Sequence, residues 1–202
     1  MIKPEEFHVP VLGNEILNTL MINTEGIYYD GTLGGGGHAE LFLRSLSGRA
    51  LYIGVDRDPE AIEFALKRLK GYKNFIAFNG TFNMFEKVIK KAGVKKLDSI
   101  LLDLGVSTHQ IDEDMRGITF RPGAPLDMRM NDSDTVTAAD VLNTYDEKEL
   151  VRIFREYGEE RFSKNIARKI VQARKEKTFQ NSDQLSEIIK RSVPGKFLVK
   201  SY

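Results

Sequence analysis

A chain of 202 residues that is 41% apolar can bury one good core with a small second lobe, and its net charge of +1 carries no global excess that would mark a polyanion or membrane partner. It has no cysteine, which excludes disulfides, thiolate zinc sites, iron–sulfur ligation and a cysteine nucleophile. No stretch approaches the ~18 apolar residues of a membrane span, and Met1-Ile2-Lys3-Pro4-Glu5-Glu6 is no secretory signal, so a soluble cytoplasmic protein is expected.

Four short apolar runs, at 27–29, 50–55, 75–78 and 100–102, have the composition of buried parallel strands. Between them lie helical stripes. Ala61, Phe64, Ala65, Leu66 and Leu69 form one after the helix-starting pair Asp58-Pro59, and Phe82, Phe85, Val88 and Ile89 form another. Strand and helix in alternation predict a βαβ sheet with right-handed crossovers. From 105 to 134 the chain is rich in Gly, Pro, Asp and Arg, and reads as a long functional loop. Beyond Thr137 the periodicity is helical throughout, with stripes at Leu150, Ile153, Phe154, Tyr157, then Phe162, Ile166, Ile170, Ala173, then Leu185, Ile188, Ile189. The predicted organisation is a nucleotide-binding α/β domain over 1–110, a functional loop over 111–136 and a helical domain over 137–202. Charge divides the same way. Residues 137–202 carry a net +4 and residues 1–136 a net −3, a weak pointer to a polyanion on the second part.

The strongest local signal is Asp30-Gly31-Thr32-Leu33-Gly34-Gly35-Gly36-Gly37-His38-Ala39, between a predicted strand and a helix. Glycines let the backbone turn tightly and approach a ligand, and the first N–H groups of the helix point at it. Asp56 closes the second strand, 22 residues beyond Gly34, where a carboxylate can accept hydrogen bonds from both ribose hydroxyls of an adenosine. That suits NAD and S-adenosylmethionine alike. Asp30 separates them, because an acid before the glycine loop attracts an amino-acid ammonium and repels a diphosphate; it would equally serve as a strand-end cap. Phe82, in Asn79-Gly80-Thr81-Phe82-Asn83, could cover an adenine, although its spacing slightly favours a core position on the next helix. Asp103, in Leu101-Leu102-Asp103-Leu104-Gly105-Val106-Ser107, delivers a carboxylate to the mouth of the sheet, where it can orient a target amine; a turn or cap role is the alternative. His109 and Gln110 follow in the loop.

His8-Val9-Pro10-Val11, the Asp30 to His38 loop, Asp56-Arg57-Asp58-Pro59, the Asp103 segment, Arg116-Gly117, Pro125-Leu126-Asp127-Met128-Arg129-Met130 and Tyr157-Gly158-Glu159-Glu160-Arg161-Phe162 occur in one order. Together they resemble the bacterial small-subunit (16S) ribosomal RNA cytosine-N4 methyltransferases, the RsmH (MraW) family, from about His8 to Val193. The resemblance implies a class I Rossmann-type methyltransferase sheet with a helical insertion domain, methylating the exocyclic amine of a cytidine in the decoding region. It implies S-adenosylmethionine contacts at Gly36, Gly37, His38, Asp56, Phe82, Asp103 and Gln110, with Asp30 and Gly34 added by the residue chemistry and Asp103 facing the reacting amine. Absence of cysteine suits N-methylation. Past Pro194, the run Gly195-Lys196-Phe197-Leu198-Val199-Lys200-Ser201-Tyr202 matches none of the family's continuation, so the family's last strands are expected to be missing, the helical domain incomplete and the fourth strand an exposed edge. The expected partner is small-subunit ribosomal RNA, with no membrane and with a homodimer open. A truncated, non-catalytic S-adenosylmethionine- or RNA-binding module and an NAD-binding oxidoreductase remain the alternatives.

Seven basic residues over 161–177 (Arg161, Lys164, Arg168, Lys169, Arg174, Lys175, Lys177) face one acid, Glu176. Helical spacing puts Arg161, Lys164, Arg168 and Lys175 on one face, opposite the Phe162, Ile166, Ile170, Ala173 stripe, as a candidate phosphate-contacting surface.

Overall fold

The computed structural model describes residues 10–200, which leaves the His8-Val9 part of the first motif outside the described residues. It divides into two compact units, Met1–His109 and Gln110–Tyr202.

The first unit is built on four parallel strands, β1 (Ile27–Asp30), β2 (Leu51–Asp56), β3 (Phe75–Asn79) and β4 (Ser99–Leu101), in the spatial order β3-β2-β1-β4. Parallel neighbours require crossovers. Helices α2 (Gly37–Ser45), α3 (Pro59–Arg68) and α4 (Phe85–Lys91) supply them. Helix α3 starts where the sequence marks it: Asp58 accepts a hydrogen bond from the Glu60 N–H at 3.0 Å, and Pro59 fills the first helical position. Alternation along β1 and β2 separates two apolar clusters. Tyr28 and Tyr52 pack with Phe42, Ala65 and Leu69, whereas Tyr29 and Ile53 pack with Val55 and Val88. Tyr28 and Phe42 meet at 5.2 Å between ring centroids, and Phe42 and Tyr52 at 5.5 Å.

Burial is uneven across the sheet. Strands β1 and β2 are buried as expected, but β3 is half-buried, and β4 lies at the edge with Ile100 46% exposed. A helix that the sequence does not announce, α1 (Gly13–Leu20), lays Ile16, Leu17 and Leu20 on the Tyr28 cluster. It lacks a start signal. The preceding Leu12 sits at φ 49 and offers no capping side chain.

The boundary between the units falls within the short helix α5 (Thr108–Asp112), and the second unit then holds α6 (Ala138–Thr144), α7 (Glu147–Glu156), α8 (Ser163–Ala173) and α9 (Ser182–Ser192). Leu126, Leu142, Leu150, Ile166, Ala167, Ile170, Phe179 and Val193 form its core. Side-chain caps fix three of these helices: a Thr137–Asp140 capping box on α6, Asp146 on α7, and an Asn181–Gln184 capping box on α9. The stretch read as a long functional loop is pinned by specific contacts. A short 3-10 turn covers Asp114–Arg116, Leu126 is buried, and Pro125 bridges Asn181. Asp127 receives Arg129 as a two-pronged pair at 2.8 and 2.7 Å, while the same guanidinium donates to the carbonyls of Asp132 and Asp134.

The basic stretch over 161–177 is not one helix. Arg161 precedes α8 and Lys175 lies in the turn beyond it, because Arg174 caps the helix. Arg174 donates to the carbonyls of Leu142 and Tyr145, and Lys169 to that of Arg191, so these two cations are structural. Arg161, Lys164, Arg168, Lys175 and Lys177 are exposed, and Ile166 and Ile170 are buried as their stripe predicts.

Candidate active site

In an open parallel sheet, ligands bind outside the carboxyl ends of the strands where the strand order reverses. That point falls between β1, which leads to β2 and β3 on one side, and β4 on the other. The loops that follow β1 and β4 carry the glycine run and Asp103.

Hydrogen bonds tie the two loops together. The Gly31 N–H donates to the Leu101 carbonyl at 3.0 Å, and the Asp103 N–H donates to Thr32 Oγ1 at 2.7 Å. Thr32 in turn donates its N–H to Asp30 Oδ1 at 3.0 Å and directs its hydroxyl at the same oxygen, 3.4 Å away. The Tyr52 hydroxyl donates to Asp30 Oδ2 at 3.0 Å. Asp30 is 1% exposed. Burial pushes its carboxyl up to about 7, against the stabilising bonds from Thr32 and Tyr52 and with a further upward push from the Asp56 charge.

The glycine loop is shaped by contacts that a side chain would block. Gly34 has φ +51, and its N–H donates to Asp56 Oδ2 at 2.7 Å. Gly36, with φ +77, immediately precedes α2, and a Cβ there would come within 3.1 Å of Leu69 and 3.3 Å of Ala65 on the α3 side. Gly37 opens α2 and His38 follows it, 6% exposed, with Nε2 3.8 Å from Asp103 Oδ2. Asp56 ends β2 half-buried. Its Oδ1 accepts from the Asp58 N–H at 2.9 Å, and burial raises its pKa above the ordinary carboxylate value. Each of its oxygens keeps acceptor capacity for a further donor.

Phe82 departs from the core role that its spacing favours. It is 47% exposed, at the start of a 3-10 turn (Phe82–Met84), because α4 begins only at Phe85. Its carbonyl accepts from the Tyr29 hydroxyl at 3.3 Å, and a Cβ on Gly31 would stand 2.8 Å from the Phe82 Cβ, so it borders the loop after β1. The first unit thus gathers Asp30, Gly34, Gly36, Gly37, His38, Asp56, Phe82 and Asp103 along the carboxyl ends of its strands. Gln110 belongs to the second unit, where it is 7% exposed. Sequence reasoning missed Thr32 and Tyr52. The spacing Asp30-Gly31-Thr32 is an Asx-turn signature that could have exposed the first, but nothing in sequence pairs Tyr52 with Asp30. Among the described residues no group of His, Asp and Glu is arranged to hold a metal ion, and no helix is long and apolar enough to cross a membrane.

The family model described as the MraW methylase family matches residues 5–201. The ribosomal RNA small subunit methyltransferase H of Clostridium botulinum (strain Loch Maree / Type A3) is 44% identical over 190 residues, which cover 94% of this chain and 62% of that protein. The protein of the same name from Lachnospira eligens is 47% identical over 191 residues, covering 94% of this chain and 60% of the relative. The chain therefore spans about three-fifths of the length of these relatives. Among solved structures, a protein-L-isoaspartate O-methyltransferase is 19% identical with a TM-score of 0.41, over 48% of this chain and 30% of that one.

Proposed function

The chain belongs to the MraW methylase family, and from that premise we propose that it serves S-adenosylmethionine-dependent N4-methylation of a cytidine in the decoding region of small-subunit ribosomal RNA, in the cytoplasm. The observation that carries the proposal is the half-exposed Asp103 carboxylate at the strand-order reversal, tied through Thr32 to the loop after β1.

The residues present fit the methyl donor. Asp56 lies at the tip of β2 with acceptor capacity left for ribose hydroxyls, and Phe82 offers an exposed ring for a purine face. Gly36 and Gly37 carry no side chain at the N-terminus of α2, and Asp30 lies under the same loop with a carboxyl that a nearby ammonium would help to ionise. Asp30, when ionised, would repel a diphosphate, which disfavours NAD. When bound, S-adenosylmethionine supplies a methyl group activated by a sulfonium. Asp103 accepts a hydrogen bond from the exocyclic amine of the cytidine and aims the nitrogen lone pair at that methyl. His38, 3.8 Å from it, helps hold the carboxylate in place. The family resemblance adds Gln110 as a further donor contact. The exposed cations Arg161, Lys164, Arg168 and Lys175 contact RNA phosphates, which position without reading sequence.

Two measurements test this. Calorimetry should show binding of S-adenosylmethionine and none of NAD, and Asp56→Ala should weaken the former at least ~10-fold, by removing two hydrogen bonds to a charged acceptor. Tritium-methyl transfer to undermethylated small subunits should be detectable and should fall sharply in Asp103→Asn, whose amide is half donor. Wild-type affinity in a folded Asp56→Ala variant rejects the cofactor assignment. Donor binding with no transfer leaves a non-catalytic binding module.

A further inference from the structure

We propose that Thr32 is the positioning residue for Asp103, and that the buried Asp30–Tyr52 pair fixes the direction in which Thr32 acts. The proposal rests on the reading of Asp103 as the carboxylate that faces the target amine.

Asp103 lies beyond the three-residue edge strand β4, in backbone that continues neither strand nor helix. The neighbouring Leu104 and Val106 are 69% and 42% exposed, so little apolar packing holds this stretch. Its carboxylate can be aimed only if its backbone is held. The hold comes from a side chain, the Thr32 hydroxyl, which accepts the Asp103 N–H at 2.7 Å.

A hydroxyl carries one proton and rotates to suit its neighbours, so its use as an acceptor depends on where that proton goes. Here the proton is directed at Asp30 Oδ1, 3.4 Å away, which leaves a lone pair facing the Asp103 N–H. Asp30 cannot turn aside. Its Oδ1 also takes the Thr32 N–H at 3.0 Å, its Oδ2 takes the Tyr52 hydroxyl at 3.0 Å, and the residue is 1% exposed. Tyr52 is itself 1% exposed, on the buried strand β2. Donation thus runs inward, from the Asp103 N–H through one hydroxyl to the Asp30 carboxylate, which the Tyr52 hydroxyl holds from the core of the sheet. Valine has the shape of threonine but cannot accept a hydrogen bond, whereas serine keeps the acceptor and loses only a methyl.

The test compares the 202-residue chain with its Thr32→Val and Thr32→Ser forms by two measurements: amide hydrogen exchange at Asp103, and the Kd for S-adenosylmethionine by calorimetry. Thr32→Val should speed exchange at Asp103 by about tenfold or more and raise Kd about tenfold, in keeping with loss of one hydrogen bond to a half-buried donor. Exchange in β1 and β2 should stay as it is. Thr32→Ser should return both quantities to within about threefold of the parent. Unchanged exchange at Asp103 in a folded Thr32→Val variant overturns the proposal, and so does faster exchange with an unchanged Kd, which would leave Thr32 a purely structural link. If the parent chain gives no heat with S-adenosylmethionine, the cofactor reading fails, and the exchange data alone still decide whether Thr32 holds Asp103.

Discussion

The two units place their charges in opposite ways. In the sheet unit two acids are sunk into the fold, Asp30 and Asp58, each 1% exposed and each accepting hydrogen bonds from a neighbouring turn or core side chain, and Asp56 beside them is partly buried. In the helical unit the candidate functional cations, Arg161, Lys164, Arg168 and Lys175, stand in solvent. A small ligand gains from groups fixed in direction before it arrives, because the cost of ordering them is then met in folding. A polyanion spread over many phosphates needs only exposed charge at roughly the right places. The sheet unit accordingly keeps one buried acid, Asp30, whose ionised form opposes folding, and the helical unit keeps its core apolar.

The contrast is sharpest if the pinned segment of the helical unit is as tightly built as the glycine loop. Gly117 has φ +65, and a Cβ added there would lie 2.1 Å from the Pro125 carbonyl oxygen and 2.9 Å from the Asp127 nitrogen. Backbone atoms cannot yield as a flexible side chain does. Gly117→Ala should cost about 3 kcal/mol or more, combining left-handed strain with the clash. Thermal melting with amide exchange should show protection lost around Leu126 and helices α6 to α9. A variant as stable as the parent would mean that this segment is an adaptable loop.

A smaller effect, of order 2–4 kcal/mol if the whole shift acts on folding, is expected at Asp30. Its folded pKa, about 7, stands above the unfolded carboxylate value near 3.8. The folded state therefore holds a proton that the unfolded state has already lost across this window, and stability should fall as pH rises from about 4 to 7, then level off. Asp30→Asn removes that titration. It should stabilise the ligand-free chain at pH 8 and leave it nearly unchanged at pH 4, while weakening S-adenosylmethionine binding if the carboxylate faces the ammonium. Denaturant melts at the two pH values measure the first effect, and calorimetry the second. A pH-independent difference between the two chains would show that the buried carboxylate does not oppose folding.

How much of this was legible in sequence follows the same division. Periodicity placed the strands to within a residue or two and the stripes of α8 and α9, because each has a face that must be buried; the stripes of α3 and α7 held except at Leu66 and Tyr157, which are exposed, and the strand-end acids Asp30, Asp56 and Asp103 were visible from position alone. Helix α1 is hidden by its uncapped start, and spacing alone slightly favours a core position for Phe82 because it does not reveal a 3-10 turn ahead of α4. The pinning of 111–136 depends on long-range partners, such as the Pro125–Asn181 bridge and the Asp183 carboxylate that accepts the Gly123 N–H, which no local pattern encodes. The Tyr52–Asp30 bond is of the same kind, joining residues 22 positions apart across adjacent strands.

The smallest expected effect, and the one that most directly probes the exposed half of the comparison, is at the basic surface. Helical spacing grouped Lys175 with Arg168 on one helix, yet α8 ends at Ala173, so the surface runs from the helix into the following turn. Arg168 donates to a neighbouring side chain, Asn165 Oδ1, at 2.8 Å and remains exposed, whereas Arg174 spends its guanidinium on two backbone carbonyls. The two kinds of cation should therefore respond differently. Arg168→Glu with Lys175→Glu should weaken binding to small-subunit ribosomal RNA by about tenfold or less at physiological salt and lower the slope of log Kd against log salt by about two, with thermal stability and S-adenosylmethionine affinity kept. Arg174→Ala should instead lower Tm, because the carbonyls of Leu142 and Tyr145 lose a charged donor, with little change in the salt slope. RNA binding by the double variant that matches the parent across a salt series would reduce the surface to a solvated face, and the contrast between the units would then rest on the sheet alone.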